Sequence, residues 1–123
     1  MTVIIDKEVF VQYAQVALIS LDSKDYPQWE TGKETYVSNT TGVAVATETD
    51  IKVRVVVSTK PVLDGYFLGS TTIIVGTKDL LVGNELSADT HQISWESGIS
   101  NVTIYIDDDK ELPKAIEFVL EKI

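Results

Sequence analysis

The chain has 123 residues, 44% of them hydrophobic and 24% charged, which is ordinary for one globular domain spanning residues 1–123. It contains no cysteine, which excludes disulfide bonds and thiolate chemistry. With 19 acidic residues against 10 basic ones the net charge is −9, which disfavours direct binding to nucleic acid; the excess either maintains solubility or partly faces a basic partner.

The N-terminal segment "MTVIIDKEVF" has no basic region followed by a long apolar stretch, so we expect no signal peptide. No run approaches the ~18 apolar residues that a membrane span needs. The expected compartment is therefore the cytoplasm. The run "VFVQYAQVALISL" (9–21) is rich in β-forming residues, and we expect Tyr13 to lie in a strand with its ring in the core.

The next segment, "DYPQWETGKE" (25–34), is a predicted loop that carries two large aromatic rings, Tyr26 and Trp29, among charged residues. Leaving a ring of this size exposed loses the roughly 1.5–3 kcal/mol of free energy that its burial would contribute. Two interpretations stay open. The rings pack back onto the fold, with Trp29 over the open end of a sandwich, or they are displayed for a partner.

Short segments with period-two alternation dominate the rest of the chain. In "IKVRVVV" the residues Ile51, Val53 and Val55 alternate with polar ones, which is typical of a strand with one buried face. We expect Trp95 and Tyr105 to pack in the core. Many short strands with close turns predict a sandwich or barrel of antiparallel sheets. The predicted strands after the loop are 42–47, 51–57, 70–75, 90–96 and 101–106.

The C-terminal segment "DDDKELPKAIEFVLEKI" shows a different spacing and predicts an amphipathic α-helix at about 110–123, packed on the sheet or covering an edge strand. Pro113 is tolerated in a first turn, and the acidic residues 107–109 suit a helix N-terminus. The predicted fold is therefore mainly β, an antiparallel β-sandwich with one C-terminal amphipathic α-helix. The apolar residues at helical spacing are Leu112, Ala115, Ile116, Val119, Leu120 and Ile123.

The residues that could support catalysis are few. His91 is the only histidine and is expected at the surface; without cysteines it cannot complete a usual zinc site. No nucleophile elbow and no phosphate-binding glycine loop is present. Asp107–Asp109, joined by Asp22 or Asp25, could bind Ca²⁺, although capping of the helix explains the same residues. We predict no enzyme, no catalytic residue, no bound metal and no cofactor.

The order of features resembles the competence protein J family, small bacterial inhibitors of a DNA-entry nuclease. The resemblance runs over roughly residues 9–106. Tyr13-x-Gln15 leads into an apolar run, a polar loop brings Pro27 and Trp29, and Gly42 opens "GVAVAT". The turn "ETD" then precedes "IKVRVVV", and "TTIIVGTKDLLVGNELSADTHQISWESGISNVTIYI" follows the family's alternation of strands and turns. The helix predicted after Asp109 departs from the family's more strand-like end.

The resemblance implies a compact β-sandwich that binds a nuclease and blocks it. Acidic charge would complement the basic groove of such a partner, and aromatic rings would anchor the contact. The alternative is a β-sandwich module that binds carbohydrate or calcium without catalysis; a third possibility is an assembly subunit. The predicted partner-binding residues are Asp22, Asp25, Tyr26, Trp29, Glu30 and Glu34.

Overall fold

The computed structural model describes residues 2–76, 79–84 and 89–123. The segment 71–106, which carries part of the family resemblance, includes residues 77–78 and 85–88, and these lie outside the described residues. Ten strands follow one another along the described chain: β1 (Val3–Val11), β2 (Gln15–Ser20), β3 (Tyr36–Asn39), β4 (Gly42–Ala46), β5 (Ile51–Ser58), β6 (Tyr66–Val75), β7 (Asp79–Gly83), β8 (Thr90–Ser94), β9 (Gly98–Ile106) and β10 (Ala115–Lys122).

The strands form two five-stranded sheets. The first sheet has the order β1-β5-β10-β9-β6 and the second the order β3-β4-β2-β7-β8. A shared hydrophobic core lies between the sheets, built largely of alternate valine, isoleucine and leucine side chains. Tyr36 of the second sheet also packs across to Gly69 of the first, where a side chain would collide with the tyrosine ring. The prediction of a mainly β fold is confirmed.

The predicted C-terminal helix is wrong, because residues 115–122 form strand β10 in the middle of the first sheet. Ile116, Phe118 and Leu120 alternate along it and enter the core. Val119 and Glu117 face the other side of the sheet. A central strand is covered on both faces, so apolar residues occur on both sides of it and their spacing can also fit a helical period. Pairing with β9 and β5 satisfies the backbone of the strand, whereas a helix this short is marginal without tertiary contacts.

The first sheet also departs from the predicted antiparallel arrangement. Strand β10 pairs antiparallel to β9 but parallel to β5, with Ile116 opposite Val55 and Phe118 opposite Val57. The C-terminal strand therefore fills the gap between two strands that are distant in sequence. Sequence periodicity does not encode the direction of such a non-local pairing.

The run 9–21 does not form one strand, because the chain passes from the first sheet to the second at residues 12–14. Tyr13 has φ 62° and Ala14 has φ 58°, so both lie in the left-handed region. The ring of Tyr13, expected in the core, is 69% exposed. The other two predicted core rings, Trp95 and Tyr105, are partly buried.

Glu117 is a fully buried carboxylate on β10. It accepts hydrogen bonds from the Ser58 hydroxyl at 2.6 Å and from the backbone N–H groups of Val62 at 2.9 Å and Leu63 at 3.1 Å. The carboxylate thus holds the connection between β5 and β6 over the outer face of the first sheet. A buried charge is tolerated where several donors surround it in this way.

Candidate functional site

The segment 21–35 connects β2 to β3 and is laid across the outer face of the second sheet. At one end the Ser23 hydroxyl lies 2.7 Å from the Thr41 hydroxyl, and the Asn39 side-chain amide donates to the carbonyl of Asp25 at 3.0 Å. At the other end the N–H of Ala46 donates to the carbonyl of Thr35 at 3.0 Å. The loop is therefore tied to the sheet at both ends.

Trp29 lies between these attachments and covers a small apolar cluster on the outer face of the sheet. Its ring packs against Ala17, Ile19 and Ala44. Its indole N–H donates to the side-chain oxygen of the buried Gln15 at 2.6 Å. Both faces of β2 are buried for this reason. Of the two interpretations for Trp29, the structure supports packing, over a face of the sandwich instead of its open end.

Asp25, Tyr26 and Glu30 line one groove of about 530 Å³ on the same loop, together with Lys24. The Tyr26 ring is 45% exposed, and both carboxylates are exposed. The groove continues onto the turn between β3 and β4, where Asn39 and neighbouring threonines form its other wall. Half of the predicted partner-binding residues are thus brought together around one polar depression.

Glu34 organises the turn that precedes β3. Its carboxylate accepts from the Thr31 hydroxyl at 2.7 Å and from the backbone N–H groups of Glu30 at 2.8 Å and Lys33 at 3.1 Å. The hydrogen bond from the Thr31 hydroxyl, followed by that from the Glu30 N–H, lowers the pKa of Glu34 to about 2. Hydrogen bonds to the charged form favour it, which gives the direction of the shift.

The turn at residues 30–34 is expected to lose its order under acid. Because the pKa of Glu34 is lower in the folded state than its ordinary value of 4.5, its contribution is fully present above pH 4.5 and is lost as the pH falls towards about 2. The amide resonances of Glu30, Thr31 and Lys33, followed by NMR, should move together with a midpoint near pH 2. In a Glu34→Gln variant this common transition should be absent; a midpoint near 4.5 in the parent protein would contradict the prediction.

Asp22 is separated from the other predicted site residues. Its carboxylate accepts from the Ser20 hydroxyl at 2.6 Å and lies against Gly76. The Ser20 hydroxyl in turn accepts from the Gly76 N–H at 3.1 Å. The six predicted residues therefore occupy three places: Asp25, Tyr26 and Glu30 on one groove, Trp29 and Glu34 on a second, and Asp22 beside Gly76.

The carboxylates considered for calcium form turns in the loop before β10. Asp107 accepts from the N–H of Lys114 at 3.0 Å, and Asp108 accepts from the N–H of Lys110 at 2.8 Å. Over residues 2–76, 79–84 and 89–123, no group of three or more histidine, aspartate or glutamate side chains is placed to hold a metal ion. His91 lies in β8, partly exposed, with Nε2 3.1 Å from the Asp89 carboxylate. Within the same residues no helix is long and apolar enough to cross a membrane.

Sequence reasoning missed an apolar surface at the end of the sandwich around the β1–β2 turn. Tyr13, Tyr66, Phe67 and Leu112 are all exposed there. The sequence pattern assigns Leu112 to a helix and Tyr13 to the core, and neither assignment predicts this surface. One sequence feature could have predicted the exposed turn. Two polar residues, Gln12 and Gln15, interrupt the first long run and indicate a turn there.

Two packed five-stranded sheets, with a long loop covering one outer face, define a β-sandwich protein. No protein-family model matches the sequence, and no curated protein matches it in sequence. The fold is similar to the crystal structure of ComJ from Bacillus subtilis, inhibitor of the DNA degrading activity of NucA, with a TM-score of 0.71. This likeness covers 95% of this chain and 96% of ComJ at 12% identity.

A second solved structure, described as crocagin biosynthetic gene J, is similar over 96% of both chains with a TM-score of 0.55 and 10% identity. Identities this low show a common fold alone. The resemblance to the competence protein J family is thereby confirmed for the fold.

Proposed function

We propose that this chain is a non-catalytic, protein-binding inhibitor of a DNA-degrading nuclease and acts by occupying the basic surface that the nuclease uses for DNA. The observation that carries the proposal is the structural likeness to ComJ over nearly the whole of both chains. The net charge of −9 supports it, because a protein of this sign is attracted to a groove that has to attract polyanionic DNA.

The exposed part of the loop at 22–34 belongs to the proposed contact surface. Asp25, Tyr26 and Glu30 combine negative charge with a half-exposed ring around one depression. Trp29 and Glu34 support the loop from beneath and border the neighbouring groove. Asp22 contributes charge at the far end of the loop. Charges at the margin of an interface mainly accelerate association.

The function is tested by adding the purified protein to a DNA-degradation assay with NucA, and with the DNA-degrading nuclease of its own source. We expect loss of nuclease activity at stoichiometric amounts of inhibitor. The association rate should fall about tenfold or more when the salt concentration rises from ~0.05 M to ~0.5 M, because salt screens the steering field. Undiminished DNA degradation in both assays would reject the function; association that is insensitive to salt would reject the electrostatic part only.

The contribution of the loop is tested with a charge-matched pair of double variants. Asp25→Asn with Glu30→Gln should slow association several-fold, since both carboxylates line the proposed surface. Glu8→Gln with Glu121→Gln removes the same charge from exposed positions on β1 and β10 of the other sheet and should have a smaller effect. Equal slowing by the two double variants would show that only net charge matters.

A further inference from the structure

The end of the sandwich at the β1–β2 turn, which we call the Tyr13 end, carries two adjoining grooves. One groove, of about 360 Å³, is bordered by Tyr13, Trp29 and Glu34; the other, of about 430 Å³, by Tyr66, Phe67 and the loop at 108–113. The two grooves share three lining residues, so they lie side by side. The shared residues are Thr35, Ala46 and Leu112.

Tyr13 is held at this end by a backbone conformation that is unfavourable for its residue type. Two successive left-handed residues are typical of Asn-Gly turns, yet Tyr13 and Ala14 occupy these positions. The buried Asn84 fixes the turn, because its side-chain amide donates to the carbonyls of Gln12 at 2.5 Å and Gln15 at 2.6 Å. The N–H of Thr47 donates to the carbonyl of Ala14 at 3.0 Å.

The ring of Tyr13 gains little from this arrangement within the chain, since it is 69% exposed. Backbone strain that is maintained by surrounding hydrogen bonds is concentrated at functional positions in proteins. A side chain carried on a backbone turn that is held in place loses less conformational freedom on binding than one carried on a mobile loop. Tyr13 therefore has the properties of a preorganised anchor for a partner.

The opposite wall of the Tyr13 end presents further apolar groups. The register of β6 against β9 shifts between Phe67 and Gly69, and irregularities of this kind re-aim neighbouring side chains. Tyr66 and Phe67 are both more than half exposed. Phe67 makes an edge contact with Tyr105 at a centroid distance of 6.2 Å, which supports one side of its ring.

The charges that line the two grooves indicate the kind of partner. Four carboxylates and two lysines lie around the exposed rings and Leu112, so the margin is acidic. Nucleic acid and a second copy of this chain, which has a net charge of −9, would both meet like charge here. The carboxylates are Glu34, Asp108, Asp109 and Glu111, and the lysines are Lys33 and Lys110.

We infer that the Tyr13 end is the main anchoring surface for a folded protein whose own surface sets lysine and arginine side chains around an apolar patch. Tyr13 and Leu112 enter that patch, and the acidic margin pairs with its basic border. This inference rests on the proposed function and deepens it, because a surface that binds DNA presents lysine and arginine side chains to the phosphates. It places the apolar anchors outside the loop groove of Tyr26.

The inference is tested by measuring the Kd for a nuclease that the parent protein inhibits. Tyr13→Asn and Leu112→Ser should each raise Kd at least tenfold. The first removes an aromatic ring from the centre of the contact, and the second removes an apolar side chain. Asparagine adopts the left-handed conformation readily, so Tyr13→Asn should melt at the same temperature as the parent protein or higher. Weaker binding together with an undiminished melting temperature is the expected signature.

Two control variants complete the experiment. Ile99→Ser removes an apolar side chain of similar exposure, 49% against 46% for Leu112, from the N-terminal part of β9, and should change Kd less than twofold. Ala14→Gly keeps the ring of Tyr13 but loosens the turn that carries it, and should raise Kd less than Tyr13→Asn does. If the parent protein inhibits the nuclease and Tyr13→Asn and Leu112→Ser bind it with unchanged affinity, the Tyr13 end is not the anchoring surface. The proposed function would still stand. If the parent protein inhibits neither nuclease in the DNA-degradation assays, both the inference and the proposed function are overturned.

Discussion

Trp29→Ala is expected to lower the free energy of unfolding by about 2–4 kcal/mol, a loss typical of a large ring removed from a packed site. The ring covers Ala17, Ile19 and Ala44 on the outer face of the second sheet, and this face becomes exposed to water without it. The substitution also removes the N–H that donates to the buried Gln15. Urea denaturation followed by circular dichroism measures the change.

Tyr26→Ala provides the matched control for Trp29, because it removes an aromatic ring from the same loop at a position that is 45% exposed. We expect it to change the free energy of unfolding by less than about 0.5 kcal/mol. Equal stabilities for Trp29→Ala and Tyr26→Ala would show that the Trp29 ring contributes no packing. The loop would then be free to present both rings to a partner.

Glu117→Gln is expected to destabilise the fold by about 2–3 kcal/mol, although it preserves the size of the side chain. The carboxylate accepts from the Ser58 hydroxyl and from the N–H groups of Val62 and Leu63. An amide has a single acceptor oxygen, and its NH₂ would face these donors, so at least one buried polar group loses its partner. Equilibrium unfolding in urea gives the magnitude.

Glu121→Gln is the control for Glu117, since it makes the same chemical change four residues later on β10 at an exposed position. Its effect should stay within about 0.5 kcal/mol. Hydrogen exchange should in addition show faster exchange of the Val62 and Leu63 amides in Glu117→Gln alone. Unaltered protection of those two amides would contradict the role of Glu117 in holding the β5–β6 connection.

Residue types alone predicted part of the candidate site. The acidic excess and the unusual rings of the loop at 25–34 were visible in the sequence, and the structure places Asp25, Tyr26 and Glu30 around one groove. Asp22 could not be separated from them without coordinates, because neighbours along a loop need not share a surface. The exposed Tyr13 was missed for a related reason: the turn that displays it is held by Asn84, about 70 residues away, and tertiary hydrogen bonds override local β-propensity.

The sequence by itself determined the mainly β character of this protein, because alternation with period two is a local property that each strand carries in its own residues. It also determined the acidic net charge of −9. Only the tertiary structure decided that residues 115–122 form a central strand, since burial on both faces makes helical and extended patterns coincide. The position of Trp29 over one sheet and the gathering of Tyr13 and Leu112 at one end were likewise decided by contacts between segments far apart in the chain.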